Sequence, residues 1–415
     1  MSKRIVELGK DLLIVLLALS ALFLARSAGY ESFVKERLAK SDAQNTAASG
    51  AESESVRIEI RPFVAVVNSA EGTHCAESWT DAVQDGIYDV FSAPLGEALG
   101  SSGEVEEIGE EQWRAVLKES SVFFDFYYSL PLDVLSRSLG ISAGGAGAYS
   151  ASMAVLGCAG DGAVLCFTDG DGLFYRCPTA VSSSSLLSRM EPYWRDNASY
   201  VFENAALGAL SPYTVITSSL SRHLTVGSSA SNGAGFDTQE LFTLLNINSY
   251  VVNPYTEADG TKVYVEGRKT LRIASDGTVS YKNSISSYDS SYSFADALSA
   301  AERFAYASVG DCCGDASLCL SAVRSDGKGS VTVQFQYSLG GIPVELPGGE
   351  CAAEISVSGG EITLARLYPR SYALSDTPAR LMPMLQAAAA ASVDGGDLHP
   401  AYVDSGTSVE CIWVK

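Results

Sequence analysis

From Leu12 to Ala25 the chain reads LLIVLLALSALFLA, and no second apolar run of that kind occurs in its 415 residues. A run this apolar constrains everything after it, because it belongs in lipid or in a segment removed on export. Its 14 residues fall short of the ~20 that cross a hydrocarbon core. A signal peptide cut after Ser27 would satisfy the small-x-small pattern through Ala25 and Ser27. An uncleaved anchor is favoured by Ile5 and Val6, which prolong the apolar helix, and by Lys10 and Asp11, whose side chains can snorkel to the headgroups. Lys3, Arg4 and Lys10 precede the run and only Arg26 follows it closely. The positive-inside rule therefore keeps the N-terminus cytoplasmic and places everything from about Gly29 onward outside, as a single-pass protein of the cell membrane.

Beyond residue 40 there are 21 basic and 45 acidic side chains. Nucleic acid is excluded as a partner by that balance, since phosphate binding needs a basic surface. The acidity suits a dispersed exported domain. With 47% hydrophobic residues, the external part can bury real cores, and its length calls for two or three domains. Nine cysteines form an odd set with no metal-ligand spacing, and Cys312 and Cys313 are adjacent. Buried thiols without disulfides are expected for most of them.

Read in order, residues 1–28 are a cytoplasmic tip and anchor, and 29–56 a stalk rich in Ala, Ser and Glu. An N-terminal α+β domain follows at 57–178. It has an apolar strand from Pro62 to Val67, a helix over 79–99, a strand over 122–128, and a meander over 150–158, 163–168 and 173–177. The meander's turns are AGDG and DGDG, where Asp-Gly accepts positive φ cheaply. A middle α+β domain at 179–290 opens with a long amphipathic helix over about 184–204 and has a short helix capped by Asp237. Alternating Val263 and Val265, Leu271 and Ile273, and Val279 and Tyr281 predict three antiparallel strands there. The C-terminal α+β domain at 291–415 repeats helix then sheet. Phe294, Leu298, Ala301 and Ala305 line a helix face; Val331, Val333, Phe335 and Tyr337 alternate along a strand; Ile355, Val357, Ile362 and Leu364 make a hairpin. A helix is expected from about Pro378. The closing strand at 409–414, apolar on both faces, is expected inside its sheet.

Chemistry is sparse. His74, His223 and His399 are scattered, with no HxxxH pair to hold a metal. GISAG (Gly140 to Gly144) matches the GxSxG nucleophile elbow, but that turn needs a strand before Ser142 and a helix after it, and GGAGAYS cannot start a firm helix. Asp169 and Asp171 sit in a hairpin turn without the further oxygen ligands of a calcium loop. No Gly-rich phosphate loop occurs. No cofactor or metal is implied. A binding or regulatory protein is the expectation; an exported hydrolase, or a cystatin-like inhibitor or ligand-binding module, are the alternatives.

The arrangement of FFDFYYSLPLDVL (123–135), LFTLLNI, YTEADGTKVYVEGRKTLRIASDGTVSYKN and the closing VTVQFQYSLGGIPVEL, EISVSGGEITLARLYPRSY and VECIWVK resembles the YycH/YycI regulators of low-GC Gram-positive bacteria. The resemblance implies a non-enzymatic, membrane-anchored, extracytoplasmic regulator of the sensor histidine kinase that controls cell-wall metabolism. It also implies three external domains, the last two cystatin- or PepSY-like helix-plus-sheet units, and a YycI-like companion. Coupling through the anchor would need small residues at a helix–helix contact. Ala21, Ala25 and Gly29 recur every four residues with Ala18 three before, and this face is the candidate kinase contact. The same alanines also serve as plain filler of an apolar span.

Overall fold

The computed structural model describes residues 60–414, apart from 79–85, 209, 218–224, 233–236, 251, 253, 285–291, 328, 380 and 391–395. The anchor, the stalk and the contact face Ala18, Ala21, Ala25 and Gly29 lie outside the described residues. Among the described residues no helix is long and apolar enough to cross a membrane.

The first sheet is built by local hairpins. Its strands are β1 (Val64–Asn68), β2 (His74–Ser78), β3 (Glu106–Ile108), β4 (Ser121–Pro131), β5 (Ser150–Ala159), β6 (Gly162–Thr168) and β7 (Phe174–Ser182). They lie antiparallel in the order β2-β1-β4-β5-β6-β7-β3. The meander forms as the Asp-Gly turns predict, with Gly160 at φ 64° between the paired Ala159 and Gly162. Helix α1 (Ile87–Gly100) buries Ile87, Phe91, Leu95 and Leu99, one residue per turn, against this sheet. Helix α2 (Glu110–Lys118) is anchored by Trp113 and Leu117, and α3 (Leu132–Ser138) by Leu132 and Leu135.

The long helix expected over 184–204 is instead the two-turn α4 (Ser183–Met190), followed by a tight turn at Glu191–Tyr193 and strand β8 (Ala198–Tyr200). Pro192 is the reason: it offers no N–H and its ring clashes with the preceding turn. The freed segment closes the edge of the first sheet. The Asn197 side chain accepts the Ala76 N–H at 2.7 Å and donates to the Ala76 carbonyl at 3.1 Å, standing in for another strand along β2. Strand β9 (Val215–Thr217) pairs with β8, and β10 (Thr225–Asn232) follows.

Helix α5 (Thr238–Leu244) starts where expected, with Asp237 accepting the Gln239 N–H at 2.8 Å. The large sheet then gathers β11 (Tyr255–Thr256), β12 (Lys262–Glu266), β13 (Lys269–Ile273), β14 (Val279–Asn283), β15 (Ser317–Ser325), β16 (Ser330–Leu339), β17 (Ile342–Glu345), β18 (Ala353–Ser358) and β19 (Glu361–Leu367). Strand β20 (Arg370–Pro378) turns away to pair with β10, and β21 (His399–Asp404) and β22 (Val409–Val414) complete the sheet. Its order is β11-β12-β13-β14-β19-β18-β16-β17-β21-β22, with β15 on the other side of β16. The pairing of β14 with β19 makes the sheet continuous across residue 290. Helix α6 (Phe294–Ala305), capped by Ser293, lays Leu298, Ala301 and Ala305 over β16 and β18.

The hairpin of Ile355, Val357, Ile362 and Leu364 forms as β18 and β19, with a register shift between Ser356 and Val357 and with Ala365 and Leu367 buried. Two local expectations are corrected. The last helix, α7 (Met384–Ala390), begins after Pro383, because β20 still runs through Pro378. Strand β22 ends the sheet instead of lying inside it, and Ile412 is exposed. Trp413, on the same face as Val409 and Cys411, packs on a small cluster with Met384 and Leu398 and donates to the Met382 carbonyl at 2.9 Å.

Candidate functional site

The GISAG segment builds no elbow. It follows α3 and leads into a short turn at Gly145–Ala148, and Ser142 is exposed in the loop between them. Its glycines serve close backbone approach: Gly144 N–H donates to Leu99 O at 2.8 Å and Gly145 N–H to Ser102 O at 2.9 Å, closing the carbonyl end of α1. A Cβ on Gly145 would strike the Gly103 carbonyl. In the DGDG turn, Asp171 accepts the Leu173 N–H at 3.0 Å, a turn bond and not a metal contact. Among the described residues no group of carboxylates, thiols and imidazoles is placed to hold a metal. None of the nine cysteines forms a disulfide.

Three clusters of buried polar groups stand out among the described residues. In the first sheet, His74 Nδ1 lies 2.8 Å from Asn68 Oδ1 and Nε2 lies 3.1 Å from Glu203 Oε1. Asn68 also takes the Tyr200 hydroxyl at 3.1 Å and donates to Ser121 at 3.0 Å. That chain pins the β8 segment to the sheet and presents no nucleophile to solvent.

The second set joins β20 to the end of β21. Arg370 donates from Nε and Nη2 to the two Asp404 oxygens, both at 2.7 Å, and from Nη2 to the Gly406 carbonyl at 2.7 Å. Asp404 further accepts the Tyr372 hydroxyl at 2.8 Å and the Gly406 N–H at 2.6 Å. Burial works to raise the Asp404 carboxyl, but the Arg370 and Gly406 donors and the Tyr372 hydroxyl outweigh it and hold the group below the usual carboxylate value.

The third set lies where β4 meets the large sheet. Between Asp125 and Leu130 strand β4 leaves its ladder with β5, and Tyr127 sits at φ 64°, a left-handed conformation costly for a bulky residue. Asp125 accepts the Tyr127 N–H at 2.8 Å, which fixes the bulge. Burial, reinforced by Asp397, pushes the Asp125 carboxyl up to about 7. The Tyr127 ring packs against His399 at a tilt of 60°, centroids 4.3 Å apart, and Phe63 meets the same imidazole edge-on at 5.8 Å. His399 is only 6% exposed, and neither ring nitrogen has a hydrogen-bond partner. Burial pushes it down to about 4, against the pull of Asp397. Beside this cluster, Phe63, Tyr127, Tyr128 and Leu320 line a cleft of about 60 Å³.

In the sequence His74 and His399 stand out only as scattered histidines, and Arg370, Asp404 and Asp125 do not stand out. Arg370 carries a weak signal, a charge inside the otherwise uncharged strand start YPRSYAL, and Asp404 precedes a Ser-Gly turn. Nothing local marks Tyr127 and His399 as neighbours.

The described residues form a mixed α+β fold of two large antiparallel-rich sheets with buried polar joints. No protein-family model matches the chain, and no curated protein matches its sequence. Its fold is similar to a solved structure, YycH from Bacillus subtilis, with a TM-score of 0.56 and 11% identity over 88% of this chain and 95% of that one. The fold is therefore YycH-like.

Proposed function

We propose that this chain is a membrane-anchored extracytoplasmic regulator of a two-component sensor histidine kinase, acting in cell-wall homeostasis and not as an enzyme. The observation that carries the reading is the likeness to YycH over nearly the whole of that chain. The apolar run Leu12–Ala25 and its basic flank support an anchor with the N-terminus cytoplasmic. The anchor face of Ala18, Ala21, Ala25 and Gly29 would meet the kinase's own helices, where small side chains allow close backbone approach. A YycI-like companion fits the same scheme. The test is the phosphorylation of the cognate response regulator, resolved on phosphate-affinity gels in cells with and without this chain. A change of several-fold is expected; an unchanged ratio across growth and wall stress would remove the kinase from the account.

A further inference from the structure

Strands β13, β14 and β19 send alternate residues to two faces of the large sheet, and the two faces are treated in opposite ways. One carries Leu271, Tyr281 and Ala365, paired across the strands and buried in the core. On the other the register sets Arg272 opposite Ser280, and Ser280 opposite Arg366. Lys282, two residues beyond Ser280, falls on that same face, between Thr270 and Leu364. Lys282 and Arg366 are exposed, and Arg272, Ser280, Thr270 and Leu364 are half-buried. Among the described residues this face of the sheet is open.

Neighbouring strands lie about 5 Å apart and alternate residues of one strand about 7 Å apart, so three cationic residues surround Ser280 at nearest-neighbour positions. Arg366 has Glu354 as a partner at 3.4 Å, and Arg272 has Glu257. Lys282 has no hydrogen-bond or ionic partner among the described residues. Asp259 and Asp276, in the nearby turns, each accept the backbone N–H two residues on, at 2.9 Å. In a chain with 49 acidic side chains against 28 basic ones, a cluster of three cations with an unanswered lysine runs against the composition. Like charges this close repel, and an anionic group seated over Ser280 would relieve the repulsion.

The same rows carry exposed apolar surface. Tyr255, 54% exposed, pairs with Val263, which pairs with Arg272; Val265, 49% exposed, pairs with Thr270, which pairs with Lys282. Each apolar side chain therefore stands two strands, roughly 10 Å, from a cation. A bare anion would leave Tyr255 and Val265 wet, whereas a protein surface can cover them while its carboxylates meet the cations. Tyrosine beside arginine is also the composition that dominates protein contacts energetically.

We propose that the open face of β12, β13, β14 and β19 docks an acidic partner protein, with carboxylates seated over Ser280 between Arg272, Lys282 and Arg366 and an apolar side chain against Tyr255 and Val265. This deepens the regulatory reading, which calls for a protein partner, by naming the surface and the chemistry that meets it.

The probe is the capped pentapeptide Phe-Gly-Gly-Glu-Glu, titrated calorimetrically into the full-length chain in nonionic detergent. Saturable binding is expected with a Kd of about 1 mM, and carbodiimide should couple the peptide's carboxylates to Lys282 in preference to the other lysines. Phe-Gly-Gly-Lys-Lys should not bind, and Ala-Gly-Gly-Glu-Glu should bind about fivefold more weakly. Lys282→Gln and Tyr255→Ser, both at exposed side chains, should each weaken binding about fivefold while leaving the far-UV spectrum and the urea midpoint in place. Arg324→Gln is the control. Arg324 is on the same face in the row of Thr332, Ser356, Leu364 and Lys282, four strands or roughly 19 Å from Lys282 and beyond the reach of its screened field, so binding should not change. Absence of saturation up to about 10 mM, an equal loss in Arg324→Gln, or coupling spread evenly over the lysines overturns the proposal. Equal affinity for the alanine peptide, with displacement by equimolar inorganic phosphate, would make the face a plain anion site and overturns it too. Docking is read on the purified chain and regulation on response-regulator phosphorylation in cells, so either reading can fail while the other stands.

Discussion

Asp404 and His399 close the two ends of one six-residue strand, β21, both buried, and the fold treats them in opposite ways. Asp404 is ionised and saturated, with Arg370, Tyr372 and Gly406 around it. His399 is given aromatic rings and no hydrogen bond. The contrast follows from what each group loses on leaving water. A carboxylate cannot be buried without partners, so one end of the strand must be fully wired. A neutral imidazole is far less costly to bury, so the other end can be left unwired provided it stays unprotonated. One end of β21 is thus held by fixed charge, and the other is sensitive to pH.

The largest expected effect breaks the wired end. Asp404→Ala leaves the Arg370 guanidinium buried without its carboxylate, and a loss of about 3–5 kcal/mol in urea unfolding is expected. Adding Arg370→Leu should restore most of it, since the penalty lies in the stranded charge and not in the missing bond. A loss below about 1 kcal/mol in the single variant would show that β20 and β21 are held by their apolar contacts alone.

At the unwired end the effect is smaller and depends on pH. The folded His399 pKa, about 4, lies below the ordinary 6.5, so the unfolded chain binds more protons between those values and stability falls as pH falls. The full loss is about 3 kcal/mol by pH 4. Asp125 works the other way: its folded value, about 7, lies above the ordinary 3.8, so ionising it penalises the fold above pH 7 and acidification relieves that penalty. In the wild type the two contributions offset each other between pH 4 and 6.5. His399→Phe, which keeps an aromatic ring against Tyr127, should therefore turn a nearly flat profile into one that rises toward pH 4. Urea midpoints at pH 7, 5.5 and 4 decide it, and a flat profile in the variant would show that Asp125 is ordinarily hydrated.

Asp125→Asn is the complementary change. Asparagine keeps an acceptor for the Tyr127 N–H and removes the buried charge. Because Asp125 retains some solvent contact, about half of the full linkage is expected, roughly 2 kcal/mol of added stability at pH 8. The same variant should now lose stability on acidification from 6.5 to 4, with the His399 contribution exposed. A variant no more stable than the wild type at pH 8 would place the strain of the bulge in the Tyr127 backbone and not in the charge.

What could be read from the residues was what a short window contains. The alternation of Val331, Val333, Phe335 and Tyr337 specified β16, Asp237 marked the start of α5, and Asp-Gly turns drew the meander. The failures were also local where a stronger rule was overlooked, as with Pro192 inside the expected helix of 184–204. The joints were not legible. Pairing of β14 with β19 joins residues more than eighty apart, and no periodicity records it. Tyr127 and His399 meet across 272 positions, and no local pattern pairs them. The predicted anchor face, Ala18 to Gly29, lies outside the described residues.

The smallest effect sets the same substitution at both ends of β21. Leucine at His399 removes two buried nitrogens that have no partner, a gain of about 1–3 kcal/mol for unmet polar atoms. It also gives up the ring contacts with Tyr127 and Phe63, worth about 0.5–1.5 kcal/mol each. At pH 7.5 the imidazole is neutral in both states, so no proton linkage enters, and the balance is expected within about 1 kcal/mol of the wild type, on the stabilising side. Asp404→Leu at the same pH should lose several kcal/mol, although it is the more apolar exchange by far. Chemical denaturation of the pair at one pH is the measurement. If both leucines destabilise by similar amounts, His399 has a partner in solution, an ordered water being the simplest, and the strand is wired at both ends.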